Sequence, residues 1–151
     1  MKLAEALLTR GNLQSRLDEL KTRLNNNAVY QEGEKPAEDP GELLKETDAL
    51  IKELETLVAK INLTNASLKS EGVTMTELLS KRDALRIKID IYREFLSGAS
   101  STGRRARGSE IKILSSVDVS AFRKVIDENS AELRKLEIKI QELNWTNELL
   151  D

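Results

Sequence analysis

Two stretches of this chain carry one pattern, and that repetition limits the fold more than any other feature. Glu5, Leu7, Arg10, Leu13, Leu17, Asp18 and Leu24 recur at a constant displacement as Glu77, Leu79, Arg82, Leu85, Ile89, Asp90 and Leu96. After a longer second connector, Leu44, Ile51, Leu54, Glu55, Val58 and Ile61 recur as Ile126, Leu133, Leu136, Glu137, Ile140 and Leu143. Each copy reads as helix, connector, helix and an Asn-x-Thr-Asn ending. The expected fold is all-α, an internally duplicated antiparallel four-helix bundle with long coiled-coil-like helices. It forms one domain over residues 1–151, made of hairpin repeats at about 1–68 and 73–151.

The periodicity supports this helix by helix. Leu3, Leu7, Leu13, Leu17, Leu20 and Leu24 follow at mostly threes and fours, one stripe of a first helix. Gly11 sits inside it, where glycine either permits a close crossing or is simply tolerated. Pro36 and Pro40 interrupt the connector, and Asp39 before Pro40 predicts an N-cap with Glu42 placed for a capping box. Leu43, Leu50, Leu54, Leu57 and Ile61 line a second helix, with Leu44, Ile51 and Val58 widening its apolar face. That helix is expected to end near Asn65, before a polar turn at Lys69 to Gly72, with Thr74 or Thr76 capping the third. Arg82 falls where the third helix's heptad calls for an apolar residue, and Asn129 does the same in the fourth, which Asp118 or Ser120 caps. Asn129 either fixes register or turns to solvent. Glu110 to Leu114 alternates polar with β-branched residues and predicts a short β-element in the connectors, with Asn27 to Gln31 as its partner strand.

Composition narrows the chemistry. The chain has no cysteine and no histidine, which excludes thiolate nucleophiles, imidazole bases and Cys or His metal sites. No cofactor and no metal is expected. A net charge of −2 argues against a nucleic-acid footprint over the whole surface. The residues after Met1 carry charges rather than an apolar leader, and no run approaches the ~18 apolar residues of a membrane span. A soluble cytoplasmic protein is the expectation.

Three constellations are candidates for function. The first is the polar cluster of Asn62, Thr64, Asn65, Asn144, Thr146 and Asn147, which either gathers a ligand or satisfies helix-end carbonyls. The second is a pair of buried ion pairs, Glu5 with Arg10 and Glu77 with Arg82, assisted by Asp18, Glu55, Asp90 or Glu137 on neighbouring helices. The third is the basic loop Arg104, Arg105 and Arg107, set against acidic Glu32, Glu34, Glu38, Asp39 and Glu42 in the first connector. It either engages phosphates of nucleic acid or an anionic membrane surface, or complements the acidic connector.

Met1 to Leu7, Gln31 to Gly33, Pro36 to Pro40, Arg82 to Leu85, Glu110 to Lys112, Val117 to Val119 and Asn144 to Thr146 together resemble a bacterial family of small helical proteins labelled septicolysin. The label implies a cytolysin, whereas the resemblance in fold implies helical oligomers. The sequence shows neither an export signal nor a segment able to form a barrel hairpin. The functional expectation is a non-enzymatic helical scaffold or interaction protein whose partner is itself, as a dimer or larger homo-oligomer. Alternatives are a nucleic-acid or anionic-membrane adaptor through the basic connector, a cytolysin, or a metal-dependent enzyme.

Overall fold

A computed structural model of the chain describes residues 1–101 and 111–151. Among them, the chain forms four helices and one small sheet: α1 Leu3–Asn26, α2 Pro40–Ser67, β1 Lys69–Ser70, β2 Val73–Thr74, α3 Met75–Ala99 and α4 Val119–Thr146. It divides into two compact units, Met1–Leu68 with Glu142–Asp151, and Lys69–Gln141.

In the first unit, α1 and α2 are antiparallel. Arg23 near the end of α1 pairs with Glu38 just before α2, whereas Arg16, two turns earlier, pairs with Glu46, two turns later, at 3.4 Å. The same reversed register brings Leu13 and Leu20 against Leu43 and Leu50 in a buried cluster, with Leu17, Leu24, Leu54 and Leu57 packed around it. Each of the four central leucines, nearly removed from water, stabilises the unit by about 2 kcal/mol before entropy is counted. Gly11 is exposed, and a Cβ there meets nothing within 4 Å, so it serves no close crossing.

The turn between these helices is pinned by one buried side chain. Asn27 caps α1, its Nδ2 donating to the Arg23 carbonyl at 2.8 Å while its Oδ1 accepts from the Glu38 amide at 2.9 Å. The two ends of the connector are thereby held together, and the Arg23–Glu38 ion pair reinforces the closure. Asp39 caps α2 as expected, accepting from the Gly41 amide at 2.9 Å with Pro40 at the first helical position. Glu42 does not close a capping box; it pairs with Lys45 one turn on, at 2.8 Å.

The second unit starts with the hairpin β1–β2, in which Lys69 opposes Thr74 and Ser70 opposes Val73. The two intervening residues, Glu71 at φ 53° and Gly72 at φ 84°, are both left-handed, the geometry of a type I′ turn. The strands thus lie here. No strand runs through Ala28–Gln31, and the expected element at Glu110 to Leu114 is not a named strand where it is described, Glu110 itself lying outside the described residues. Period-two alternation did not point to this hairpin, because a hairpin so short is dictated by its turn, while Lys112 in the expected run is a single bridge residue.

Thr74 caps α3. Its hydroxyl accepts from the Glu77 amide at 3.2 Å, and Glu77 reaches back to the Thr74 amide at 2.7 Å, a complete capping box. Asp118 caps α4 through the Ala121 amide at 3.0 Å. Within the unit α3 and α4 run oppositely: late α3 meets early α4 where Tyr92 and Phe95 stack on Phe122 at 5.2 and 5.3 Å, while Arg86 in mid α3 reaches Glu137 at 2.6 Å. Met75, Leu85, Ile89, Ile126, Leu136 and Ile140 are buried. Asn129 stays half-buried and bonds the Val125 carbonyl one turn back at 2.8 Å, so its polarity is absorbed by its own helix.

Candidate functional site

Both Asn-x-Thr-Asn segments lie in the first unit, where Thr64, Thr146 and Asn147 bond to backbone groups. Thr64, 2% exposed, donates its hydroxyl to the Lys60 carbonyl at 2.7 Å and accepts the Leu150 amide at 3.0 Å. Asn147 sends Nδ2 to the Leu143 carbonyl at 2.9 Å, closing the end of α4, and its own carbonyl accepts the Leu3 amide at 2.9 Å. Thr146 back-bonds to the Glu142 carbonyl at 2.8 Å. Asn144 is buried, Asn65 half-buried and Asn62 exposed. The cluster therefore ties the tail to the first unit by satisfying groups that a helix end leaves open.

The tail also closes on the chain's first residues. Lys2 and Glu148 form an antiparallel bridge, the Leu149 amide donates to the Met1 carbonyl at 2.8 Å, and Glu148 accepts the Met1 ammonium at 3.0 Å and Lys2 at 2.6 Å. These two cations hold the Glu148 carboxyl below the ordinary glutamate range, the Lys2 bond being the larger cause.

Beside this closure a groove of about 680 Å³ lies between α1 and α2. Met1, Leu57 and Leu149 give it an apolar floor, and Lys52, Lys60 and Asp151 stand on it, the last two 4.0 Å apart. Its hydroxyls are already engaged: Thr9 donates to the Glu5 carbonyl at 2.9 Å and Thr56 to the Lys52 carbonyl at 3.0 Å. Glu53 also lines the groove, so apolar, acidic and basic side chains share it with two hydroxyls that already donate to backbone carbonyls.

The expected buried ion pairs do not form. Glu5 is exposed and accepts the Lys2 amide at 2.7 Å, capping α1, and no ion pair among the described residues includes Arg10. Glu77 is likewise a capping residue; the Thr74 amide and hydroxyl hold its carboxyl below the usual range. Arg82 pairs with its neighbour Asp83 at 2.9 Å, its side chain 25% exposed. Glu137, one of the acids considered for Arg82, is taken by Arg86. Arginine on an apolar stripe has simply reached the rim, where water shares its charge.

Arg82, Arg86 and Arg134 border a second hollow of about 600 Å³ in the second unit, with Glu137 and Ile138. A neighbouring hollow adds Arg93, Asp90 and Ser130, whose hydroxyl is buried without a partner. Arg104, Arg105 and Arg107 lie outside the described residues. No three acidic side chains converge as a metal site among the described residues, and none of the described helices is long and apolar enough to cross a membrane.

The largest departure from a self-contained surface is apolar. On α2 the widening residues Leu44 and Ile51 stay about half exposed. On α3, Ile87, Ile91 and Phe95 are 62%, 58% and 44% exposed. The α3 residues escaped the sequence reading, although their four-residue spacing was available as a signal.

Comparison with known proteins bears on the family and the fold. A family of unknown function, DUF6847, matches residues 10–149. The chain belongs to that family. Nothing in the comparisons supports the septicolysin label, and the search of curated proteins finds no match. The DUF6847 chain is similar over 99% of its length to 99% of a functionally unknown conserved protein from Corynebacterium diphtheriae, whose crystal structure superposes with a TM-score of 0.92 at 41% identity. The fold of this DUF6847 protein is therefore shared with an experimentally solved relative.

Proposed function

We propose that the protein is a non-enzymatic scaffold or interaction protein that acts as a homo-oligomer in the cytoplasm, its helical hairpins being two copies of one unit within a single domain. The observation that carries this reading is the set of large apolar side chains left in water at helical spacing, Leu44 and Ile51 on α2 and Ile87 and Ile91 on α3. Scattered apolar residues are ordinary on a surface, but aligned ones mark a face that another surface covers. The hydroxyls of the groove and the carboxylates of the helix caps are committed to structural bonds, which supports binding over turnover.

The test is absolute mass by light scattering behind size exclusion, at low and high salt, over a wide concentration range. The expected result is a multiple of 17.0 kDa that survives high salt, because burial of apolar area is not screened. A monomer at every concentration, or specific saturable turnover of a small substrate, refutes the reading. Changing Arg104, Arg105 and Arg107 together to Ser is expected to leave the mass unchanged.

A further inference from the structure

α3 has two apolar seams, and only one belongs to its own unit. Leu85 and Ile89 are buried. On the other side, Ala84, Ile87 and Ile91 follow at three and four residues, the a and d spacing of a coiled coil, whereas Phe95 packs on Phe122 within the unit. The flanks of this outer seam are sorted by charge. Lys81 and Lys88 stand along one edge and Asp83 and Asp90 along the other, each pair separated by one heptad. At about 100° per residue the two edges lie on opposite sides of the Ile87–Ile91 line, so one edge is basic and the other acidic.

The seam is also particular to α3. At the displacement that aligns α1 with α3, Ile87 and Ile91 stand where α1 has Ser15 and Glu19. In α1, Arg16 pairs with Glu46 of α2 and Arg23 with Glu38 in the connector before it, both within the first unit. The apolar character of the α3 face is thus no consequence of the common helix pattern.

Resting on the homo-oligomer reading above, we propose that this face of α3 pairs with α3 of a second copy, side by side and parallel about a two-fold axis. The charge pattern selects the direction. In a parallel pair the acidic edge of each helix meets the basic edge of the other, setting Asp83 opposite Lys88 of the second copy, twice by symmetry. An antiparallel pair sets Asp against Asp and Lys against Lys, which is repulsive along both flanks. Asp83 already accepts Arg82 at 2.9 Å, and a carboxylate's two oxygens accommodate a second cation across the seam. Lys88 lies 5.4 Å over the Tyr92 ring, and Lys81 reaches Glu132 at 2.8 Å, so the seam adds pairs to side chains that are already positioned. Ile87 and Ile91 then leave water together with their symmetry mates.

The chain has no cysteine, so a single introduced thiol reports its own surroundings. In a parallel pair every seam position faces itself. Ala84→Cys and Ile91→Cys, made separately in the full chain, are each expected to give a disulfide-linked dimer under mild oxidation, while Ser15→Cys on α1 does not. The companion measurement is light scattering of the Ile87→Glu, Ile91→Glu double variant. It is expected to weaken dimerisation more than about a hundredfold, since two central apolar anchors become unpaired charges, with helical circular dichroism unchanged because both sites face solvent. Asp83→Lys and Lys88→Glu each weaken the dimer about threefold to tenfold, and the double variant recovers it.

The outcomes separate cleanly. A wild-type monomer at all concentrations overturns the homo-oligomer reading and the seam together. A wild-type oligomer whose mass the Glu double variant leaves unchanged overturns the seam alone and points to the α2 face. Linkage at only one of positions 84 and 91 overturns the parallel direction.

Discussion

Replacing Thr64 with Val asks whether the repeated Asn-x-Thr-Asn segment is a structural tie or a ligand cluster. Valine matches threonine in shape, so no cavity opens around a side chain that is 2% exposed. What is lost is one oxygen that donates to Lys60 at 2.7 Å and accepts the Leu150 amide at 3.0 Å. The Lys60 carbonyl keeps its place in the helix ladder, but the Leu150 amide loses its partner. A lost hydrogen bond costs about 1 kcal/mol, and an amide left partly away from water raises that figure, while the added methyl offsets some of it. The net expectation is about 1 kcal/mol, or a fall in Tm of about 3 °C for a chain of 151 residues. The same change at Thr146, whose hydroxyl is exposed and bonds only within its own segment, is expected to cost less than about 0.5 kcal/mol. Urea unfolding gives the two free energies, and hydrogen exchange localises the effect. The Leu150 amide loses protection in Thr64→Val, whereas the Leu3 and Leu149 amides, held by the Asn147 and Met1 carbonyls, keep theirs. Equal costs at the two threonines, or unchanged Leu150 exchange, refutes the structural assignment and returns the cluster to the list of ligand sites.

Leu20→Ala in the centre of the α1–α2 core is expected to cost about 3 kcal/mol in urea unfolding, since Leu20 is 1% exposed among Leu13, Leu43 and Leu50. Gly11→Ala is expected to raise stability by roughly 0.5–1 kcal/mol, because the site is helical and its Cβ meets nothing within 4 Å; a loss of stability there means α1 is contacted at Gly11. Gly72→Ala goes the other way, by roughly 1–2 kcal/mol, because φ 84° is a left-handed conformation that alanine resists. Stability is also expected to fall in acid. Glu38, Glu77, Glu132 and Glu148 are all held below the ordinary glutamate range by bonds to Arg23, Thr74, Lys81 and Lys2. A depressed carboxyl stabilises the fold above its unfolded value of about 4.3 and loses that contribution as pH falls through the lower folded value. Glu148→Gln flattens this acid slope in a pH series of urea midpoints; an unchanged slope refutes the assignment for Glu148.

What was legible in the sequence was mostly local. Asp39 before Pro40 announced its cap, and the caps of α3 and α4 were each narrowed to two residues, Thr74 or Thr76 and Asp118 or Ser120, of which Thr74 and Asp118 serve, because a cap is made by residues adjacent in the chain. Elements that depend on which face turns inward were harder. Arg82 on an apolar stripe suggested a buried ion pair, yet at the rim it needs only Asp83 beside it. Glu5 and Glu77, read as partners of those arginines, are the reciprocal members of helix caps, a role their distance from Lys2 and Thr74 already allowed. The alternating Glu110 to Leu114 run looked more like a strand than Lys69 to Thr74, but Glu71 and Gly72 set the hairpin through two left-handed residues.

The α3 face shows why a repeat guides an eye toward sameness and away from function. Residues shared by the two copies, such as Leu13 and Leu85, or Leu17 and Ile89, are those that build a helix pair, and they are buried or half-buried in both. Residues that differ in character between the copies are released from that duty. Ser15 and Glu19 in α1 against Ile87 and Ile91 in α3 is a change from polar to apolar at two positions one turn apart. In water such a change is unfavourable for a monomer, since it adds apolar surface without burying it and invites association. It is favourable only where another surface meets it, and sorted charges along both edges then fix the direction of that meeting. Lys81, Lys88 and Asp83 already have partners within their own unit, and a surface with the complementary order adds pairs to them. A second α3 laid parallel provides that order without any other partner.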